Sequence, residues 1–502
     1  MRQLSAQDAS FLYLESQGAH LHLTALYIYD QATSPGGIVR HKDILKYVES
    51  RLHTSPIFRQ KLVSLPLNVD YPYWVDDQDF DLEYHIRHIA LPEPRDWRQL
   101  CILVARIHSR PLDLSRPPWQ MHLVEGLDNI KGIPKGAFAS VAKYHHAAID
   151  GATGGEIISG LHSTTPEHDP NPEPEPWEPE PQPSWIGLMA RAAVNNIREP
   201  FQLAKATAAT LPAISQSLLK GELPDINLAD TVPDTRFNRP VSAQRVVEGV
   251  TFKLKQLSEI RKAVPGATVN DVVLAICGGA LRRYLEEKGE LPDDSLIAMA
   301  PINTRRPDEV DVTGNVLATM SVPLHTDIAD PLARLRAVRE ATADAKETEH
   351  AISARQMTDI TRHIPSATMA LAGRLVTGLG LGHRAMRLCN CTVTNVPGVQ
   401  HPLYVNGAKL IKSTGFAPVI DGMGLIISAI SYNGEIIFSF TGCREIIPDP
   451  EKLSACSRES FRALKEAAAE KLAKPATKAR ARKKPASKKK TRRKTKTRRK
   501  IS

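Results

Sequence analysis

FASVAKYHHAAIDGATGGEII, Phe138 to Ile158, changes character at its centre. Phe138 to His146 resembles a strand, and GATGGEII begins a helix behind a glycine-flanked turn. His146 therefore sits at a strand-to-loop junction, where a side chain can reach into a cleft while its backbone stays fixed. A lone histidine at such a place is ordinarily a half-buried ring with satisfied nitrogens. Two adjacent histidines followed by Asp150-Gly151 are a far more specific pattern. A metal site would need three or four ligands, and the chain offers neither an H-E-x-x-H nor a zinc-spaced cysteine pair, so no metal is expected. The alternative is an imidazole base held in one tautomer, with a carboxylate fixing the loop. A neutral histidine can take the proton of an alcohol as it attacks an activated carbonyl, then return it to the leaving group. No G-x-S-x-G is present to supply a nucleophilic serine.

With 502 residues, the chain is too long for one ordinary core, and two large domains are expected. The opening MRQLSAQDASFLYLES lacks a signal-peptide apolar core, and no apolar run reaches bilayer-spanning length. The expectation is a cytoplasmic chain, peripheral to membranes. Six scattered cysteines, with only Cys389 and Cys391 close together, read as reduced and buried. The net charge of +10 is concentrated at one end: residues 471–502 hold 17 Lys or Arg and no acid, which leaves −7 on the preceding 470 residues.

Residues 1–164 mix strand-like alternation (Leu21 to Asp30) with helical runs such as HKDILKYVESRLHTSP, an α/β or α+β pattern. Residues 165–234 form a connector. In Pro166 to Trp185 eight prolines alternate with carboxylates, and fixed φ plus like-charge repulsion predict an extended, solvated segment. Behind it, WIGLMARAAVNNIREPFQLAKATAATLPAISQSLLKG reads as one or two amphipathic helices broken by Pro200. These would pack on the protein or lie on a lipid surface, and the lack of a strongly basic face puts packing first. Residues 235–470 are a second mixed domain. Thr268 is expected to cap a helix with Asp271 at its third position, and LIISAISYNGEIIFSFTG, Leu425 to Gly442, to form a hairpin turning at Asn433-Gly434.

HHAAIDG, His145 to Gly151, resembles the H-H-x-x-x-D-G signature of the CoA-dependent acyltransferase superfamily. The closer resemblance is to the bacterial wax ester synthase/diacylglycerol acyltransferase family. It rests on LSAQDASFLYLES (Leu4 to Ser16), RPPWQMHLVEGL (Arg116 to Leu127), ATVNDVVLAICGGALRRYL, GNVLATMSVPL (Gly314 to Leu324) and TNVPG (Thr394 to Gly398), in order over residues 1 to about 460. RPPWQ departs from the family's commoner P-L-W, which touches only local loop shape, and Trp119 reads as a packed aromatic.

The resemblance implies two chloramphenicol-acetyltransferase-like domains, mixed sheets flanked by helices, meeting at an active-site tunnel. It implies His146 as general base, His145 as its support, and Asp150-Gly151 as structural, with Asp150 paired to an arginine of the other domain. Arg305 in MAPINTRRP is the candidate, against an exposed Arg305 or Arg306. Asn270 and Asp271 match the Asn-Asp motif, either as helix capping or as substrate contacts. TNVPG is either a turn or the source of an oxyanion donor, Thr394 or Thr392, of a kind worth about 3 kcal/mol.

The implied reaction esterifies a long-chain alcohol or diacylglycerol with acyl-CoA as substrate, without a cofactor. The alternatives are a condensation-type acyltransferase drawing on a carrier-protein-bound acyl group, and an inactive fold serving as a basic scaffold. The Lys/Arg-rich tail, 471–502, is expected to be disordered and to attract polyanions. An anionic membrane or lipid droplet is the useful partner for a lipid enzyme, and non-specific nucleic acid is the competitor.

Overall fold

The computed structural model describes residues 1–149, 151–167, 177–198, 232–303, 317–351, 364–378 and 389–481. The first half runs β1 (Arg2–Gln3), α1 (Ala6–Tyr13), β2 (His22–Asp30), α2 (His41–Glu49), β3 (Gln60–Val63), β4 (Tyr73–Asp76), α3 (Leu82–His85), β5 (Ile86–Ala90), α4 (Trp97–Ser109), β6 (Trp119–Glu125), β7 (Phe138–His145) and α5 (Gly151–Leu161). Helix α6 spans 185–198. The second half continues with β8 (Arg245–Lys253), α7 (Leu254–Ile260), α8 (Val269–Glu286), β9 (Ile297–Asn303), β10 (Leu317–Pro323), α9 (Pro331–Ala351), α10 (Ser366–Gly378) and β11 (Cys391–Val396). It closes with β12 (Tyr404–Val405), β13 (Ala408–Phe416), β14 (Leu425–Tyr432), β15 (Glu435–Cys443) and α11 (Pro450–Ala481).

Two six-stranded mixed sheets organise the chain, in the orders β12-β13-β2-β7-β6-β5 and β10-β9-β11-β14-β15-β8. Strand β7 is buried along its whole length because both faces of its sheet are covered. Ala142 and Tyr144 pack with Tyr27 and Tyr29 on one side, while Ala139 and Val141 meet Leu100 and Val104 of α4 on the other. Lys143 is the polar exception. Its ammonium donates to the carbonyls of Ile107 (3.0 Å) and Arg110 (2.8 Å) at the C-terminal end of α4, where the helix dipole favours a cation. Burial, helped by Arg110 and Arg87, lowers its pKa to about 7.

In the second sheet, Thr268 and Asp271 form the expected capping box at α8, with Asp271 N–H donating to the threonine hydroxyl and Thr268 N–H to the carboxylate. The β14–β15 hairpin turns at Asn433 and Gly434, both at positive φ, as the Asn-Gly pair requires. All six cysteines are free and buried. Among the described residues no helix is long and apolar enough to cross a membrane.

Two expectations need correction. The division at 164 and 235 is not a spatial one, because β13 of the second half pairs along β2, from Lys409 opposite Asp30 to Phe416 opposite Thr24. Alternation in β13 reads the same in either sheet, so its sequence does not say which one it joins. The basic tail does not lose structure at 471: α11 carries on through Ala481, and 482–502 lie outside the described residues. The described end of the proline-rich connector is anchored to the first half by Glu180, which pairs with the Met1 ammonium (2.7 Å) and accepts from Gln78.

The cores also hold neutral histidines. Burial pushes the His108 pKa down to about 3 and those of His122 and His162 to about 4, and lowers that of His22 strongly. The unfolded chain takes up protons on these rings below about pH 6.5 while the folded chain does not, so stability present near neutrality is lost as pH falls. Denaturant titrations between pH 6.5 and 4.5 are expected to give an uptake on unfolding from these rings that rises from about two protons to between three and four. A flat stability profile over that window would contradict the burial of these histidines.

Candidate active site

The end of β7 is fixed from several directions. His145 N–H donates to the Pro118 carbonyl (2.9 Å), which ties it to the RPPWQ segment. Trp119 is buried there, its indole N–H donating to the Phe58 carbonyl (3.0 Å), so it is a packed aromatic. The His145 ring is fully buried, and its Nδ1 accepts Ala147 N–H (3.0 Å), capping the short 3-10 turn His146–Ala148. With the Nδ1 lone pair used in this way, the ring proton of neutral His145 resides on Nε2.

Nε2 faces Glu15, whose Oε1 lies 3.3 Å away, slightly longer than a good hydrogen bond. The same oxygen accepts Leu21 N–H (2.8 Å) and stands 3.6 Å from His22 Nε2. Burial pushes the Glu15 carboxyl up, but His145 and the Leu21 N–H more than offset it and hold the group below its ordinary value. Glu15 is thus an anion beneath the buried histidine.

His146, half-buried, begins the capped turn. Its N–H donates to the Leu21 carbonyl (2.9 Å), and its ring stacks on Phe11 of α1 with centroids 3.9 Å apart and planes 18° from parallel. Ala147 and Ala148 pack with α1, so the small residues after the two histidines let that helix approach. The opening LSAQDASFLYLES therefore supplies the aromatic beside one histidine and the carboxylate beneath the other. Sequence reasoning missed Glu15 and Phe11: they are remote in the chain, and only the co-occurrence of the two motifs hinted at contact.

Glu15, His22 and His145 bring three donor atoms within 4.8 Å of one another, a ligand set that the search for sequence motifs did not find. Their chemistry does not suit a cation. Metal binding at His145 Nε2 needs the proton moved to Nδ1, which already faces the Ala147 N–H. The trio is a carboxylate beside two buried rings, of which burial holds His22 neutral.

On the second half, both oxygens of buried Asp271 are engaged, Oδ2 in the α8 cap and Oδ1 by the Thr342 hydroxyl (2.8 Å). Of the two readings of that residue, capping is the one its geometry matches. Asn270 Oδ1 accepts from Asn395 Nδ2 (3.2 Å), so the Asn-Asp and TNVPG motifs meet. Gly398 approaches the Ser431 carbonyl too closely for a Cβ, while its N–H donates to the Ser431 hydroxyl (3.1 Å). Thr392 directs its hydroxyl to Met423 sulfur (2.7 Å), and half-buried Thr394 lies opposite Ser428 in β11. Gly151 starts α5, whereas Asp150 and Arg305, and so their expected pairing, lie outside the described residues. A small apolar cavity of about 30 Å³ lies between β7 and α5, lined in part by Tyr144 and Leu161. It belongs to the first sheet and is not the tunnel expected between the sheets.

Comparison with known proteins agrees with these motifs. The wax ester synthase/diacylglycerol acyltransferase catalytic domain matches residues 4–273, and the WS/DGAT C-terminal domain matches 313–465. Two provisionally named diacylglycerol O-acyltransferases of Mycobacterium tuberculosis (strain CDC 1551 / Oshkosh) are similar throughout. One is 31% identical, covering 89% of this chain and 87% of the relative. The other is 33% identical, covering 92% and 96%. The wax ester synthase/diacylglycerol acyltransferase of Marinobacter aquaeolei VT8 superposes with a TM-score of 0.66 at 26% identity, covering 93% of this chain and all of that one. The first condensation domain of the CDA synthetase shares the fold alone, with a TM-score of 0.54 at 15% identity over 93% of this chain and 96% of that one. The chain is an acyltransferase and belongs to the wax ester synthase/diacylglycerol acyltransferase family.

Proposed function

We propose that His146 is the general base for direct transfer of a long-chain acyl group from CoA to a fatty alcohol or diacylglycerol. The observation that carries this reading is the capped turn: His145 Nδ1 holds Ala147 N–H, and the half-buried neighbour His146 is thereby offered from the end of a rigid strand. A ring nitrogen of His146 takes the hydroxyl proton as the oxygen attacks the thioester carbonyl. The tetrahedral adduct collapses, the C–S bond breaks, and the departing thiolate takes the proton back from the imidazolium. No acyl-enzyme forms, and no metal or redox cofactor enters these bond changes. Thr394 is the candidate oxyanion donor, and Asp150 with Arg305 the candidate tie across the two halves. Asn270 acts through Asn395 to hold the TNVPG turn. The enzyme works peripherally at an anionic membrane or lipid-droplet surface, to which the 17 cationic side chains of residues 471–502 contribute attraction.

Purified protein with palmitoyl-CoA and either hexadecanol or dioleoylglycerol tests this, read as CoA release and neutral lipid formed. His146→Ala is expected to lower turnover by roughly 10²–10⁴-fold, the usual contribution of a positioned base. Turnover near wild type in that variant would sink the proposal, and transfer only from acyl-carrier protein would favour a condensation-type donor.

Glu15 is a positioning residue in this scheme, acting through His145. Glu15→Gln is expected to reduce kcat about tenfold with KM nearly unchanged, since it leaves the substrate path alone but weakens the hold on the buried ring. An equal rise in KM with kcat retained would instead assign Glu15 to substrate binding.

A further inference from the structure

Helix α6 has two unlike sides. Leu188 and Ala192 are buried against Leu65, Tyr73 and Val75, and Asn195 and Asn196 tie the helix to Asp70 (2.9 Å) and to the Val69 carbonyl (2.7 Å). The opposite side is apolar and open to solvent: Trp185 is 56% exposed, Ile186 84%, Met189 48%, Val194 48% and Ile197 67%. With 3.6 residues per turn these five side chains cover about half the helix circumference. Exposed Arg191 and Arg198 stand at the border between that arc and the buried stripe.

The apolar surface extends beyond α6. Leu67, 85% exposed, projects from the turn Pro66–Asn68, between the Leu65 and Val69 that α6 touches. Helix α10 packs on the same turn and carries Leu371, 59% exposed. It is held to the catalytic half by the Tyr13 hydroxyl, 2.8 Å from that of Ser366, and by the Tyr71 hydroxyl donating to the Ile364 carbonyl (2.6 Å). Through α10 this surface adjoins α1, the helix whose Phe11 covers His146.

We propose that the joined face of α6, the Leu67 turn and α10 docks on an anionic phospholipid surface and brings α1, whose Phe11 stacks on His146, close to it. Isolated apolar residues on a surface need no explanation, but a group of them on three adjoining elements marks an interaction site. Charge selects the occupant. Residues 185–198 and Ser366–Gly378 contain three arginines and no acidic residue, whereas the first 470 residues together carry −7. An acid-free apolar face edged by arginine fits the headgroup boundary of an anionic bilayer, with the apolar side chains among the acyl chains and the guanidinium groups among the phosphates. The inference rests on the lipid-esterifying function proposed above, whose acceptors reside in such a phase, and it puts the principal contact on this face with the basic tail as an auxiliary.

The test is co-sedimentation of the full chain with vesicles of equal parts phosphatidylglycerol and phosphatidylethanolamine. The Ile186→Asp/Ile197→Asp variant is expected to bind at least tenfold more weakly, and Arg191→Gln and Arg198→Gln about fivefold each. Deleting 482–502 is expected to leave most of the binding. Unchanged thermal melting of the variants verifies folding, since the changed side chains are exposed. Acyl transfer to butanol in vesicle-free buffer reads the active site separately: it is expected to persist in the docking variants, and its absence in wild type would refute the enzymatic reading alone. The docking proposal is overturned if the aspartate variant binds like wild type, as it would were residues 199–231 to cover the face. It is equally overturned if wild type does not bind these vesicles, or if sedimentation velocity shows the aspartate pair dissolving a dimer while vesicle binding persists.

Discussion

The Ala147 N–H bond to His145 Nδ1 is the contact on which the rest of the site depends. It turns the chain sharply at the end of a fully buried strand and fixes the His145 tautomer, which in turn directs Nε2–H at Glu15. This buried ring has one nitrogen capping a turn and the other facing a carboxylate, so neither is open to solvent. In the proposed reaction the next residue, half-buried in the same turn, carries the chemistry. The proposed division of labour between the two histidines rests on hydrogen-bond valence.

The surrounding fold keeps this junction rigid. Strand β7 lies between β2 and β6, with His145 opposite His22 and Tyr144 opposite Trp119, so both neighbours set its register. Strand β13 adds a layer from the second half along β2, tying the two sheets into one structure. Lys143, one residue before Tyr144, satisfies the carbonyls at the end of α4 and locks the helix behind the strand. Motion of β7 relative to either half would therefore break buried hydrogen bonds, which is costly without water to replace them.

Local chemistry was legible where it needed no partner from afar. The Thr268 capping box, the Asn433-Gly434 turn and the strand running into the histidine pair were all readable because each depends on residues within a few positions. Long-range placement was not. Nothing in LSAQDASFLYLES marks Glu15 as the carboxylate beneath His145 rather than a solvated residue past the end of a helix, and nothing in β13 states which sheet it joins. Similarly, the amphipathic pattern of α6 was visible, but only the structure shows that a narrow stripe packs while the broader apolar arc stays exposed. Asp271 illustrates the reverse case, where a motif residue is fully occupied by local bonds.

Nitrogen-15 NMR of the imidazoles, with His145 and His146 distinguished by single substitutions, tests the central claim most directly. In its neutral form, His145 should carry its proton on Nε2 and show Nδ1 as a hydrogen-bonded acceptor, with a signal that shifts in Glu15→Gln. A His145 ring protonated at Nδ1, or one insensitive to Glu15, would contradict the arrangement that makes His146 the base.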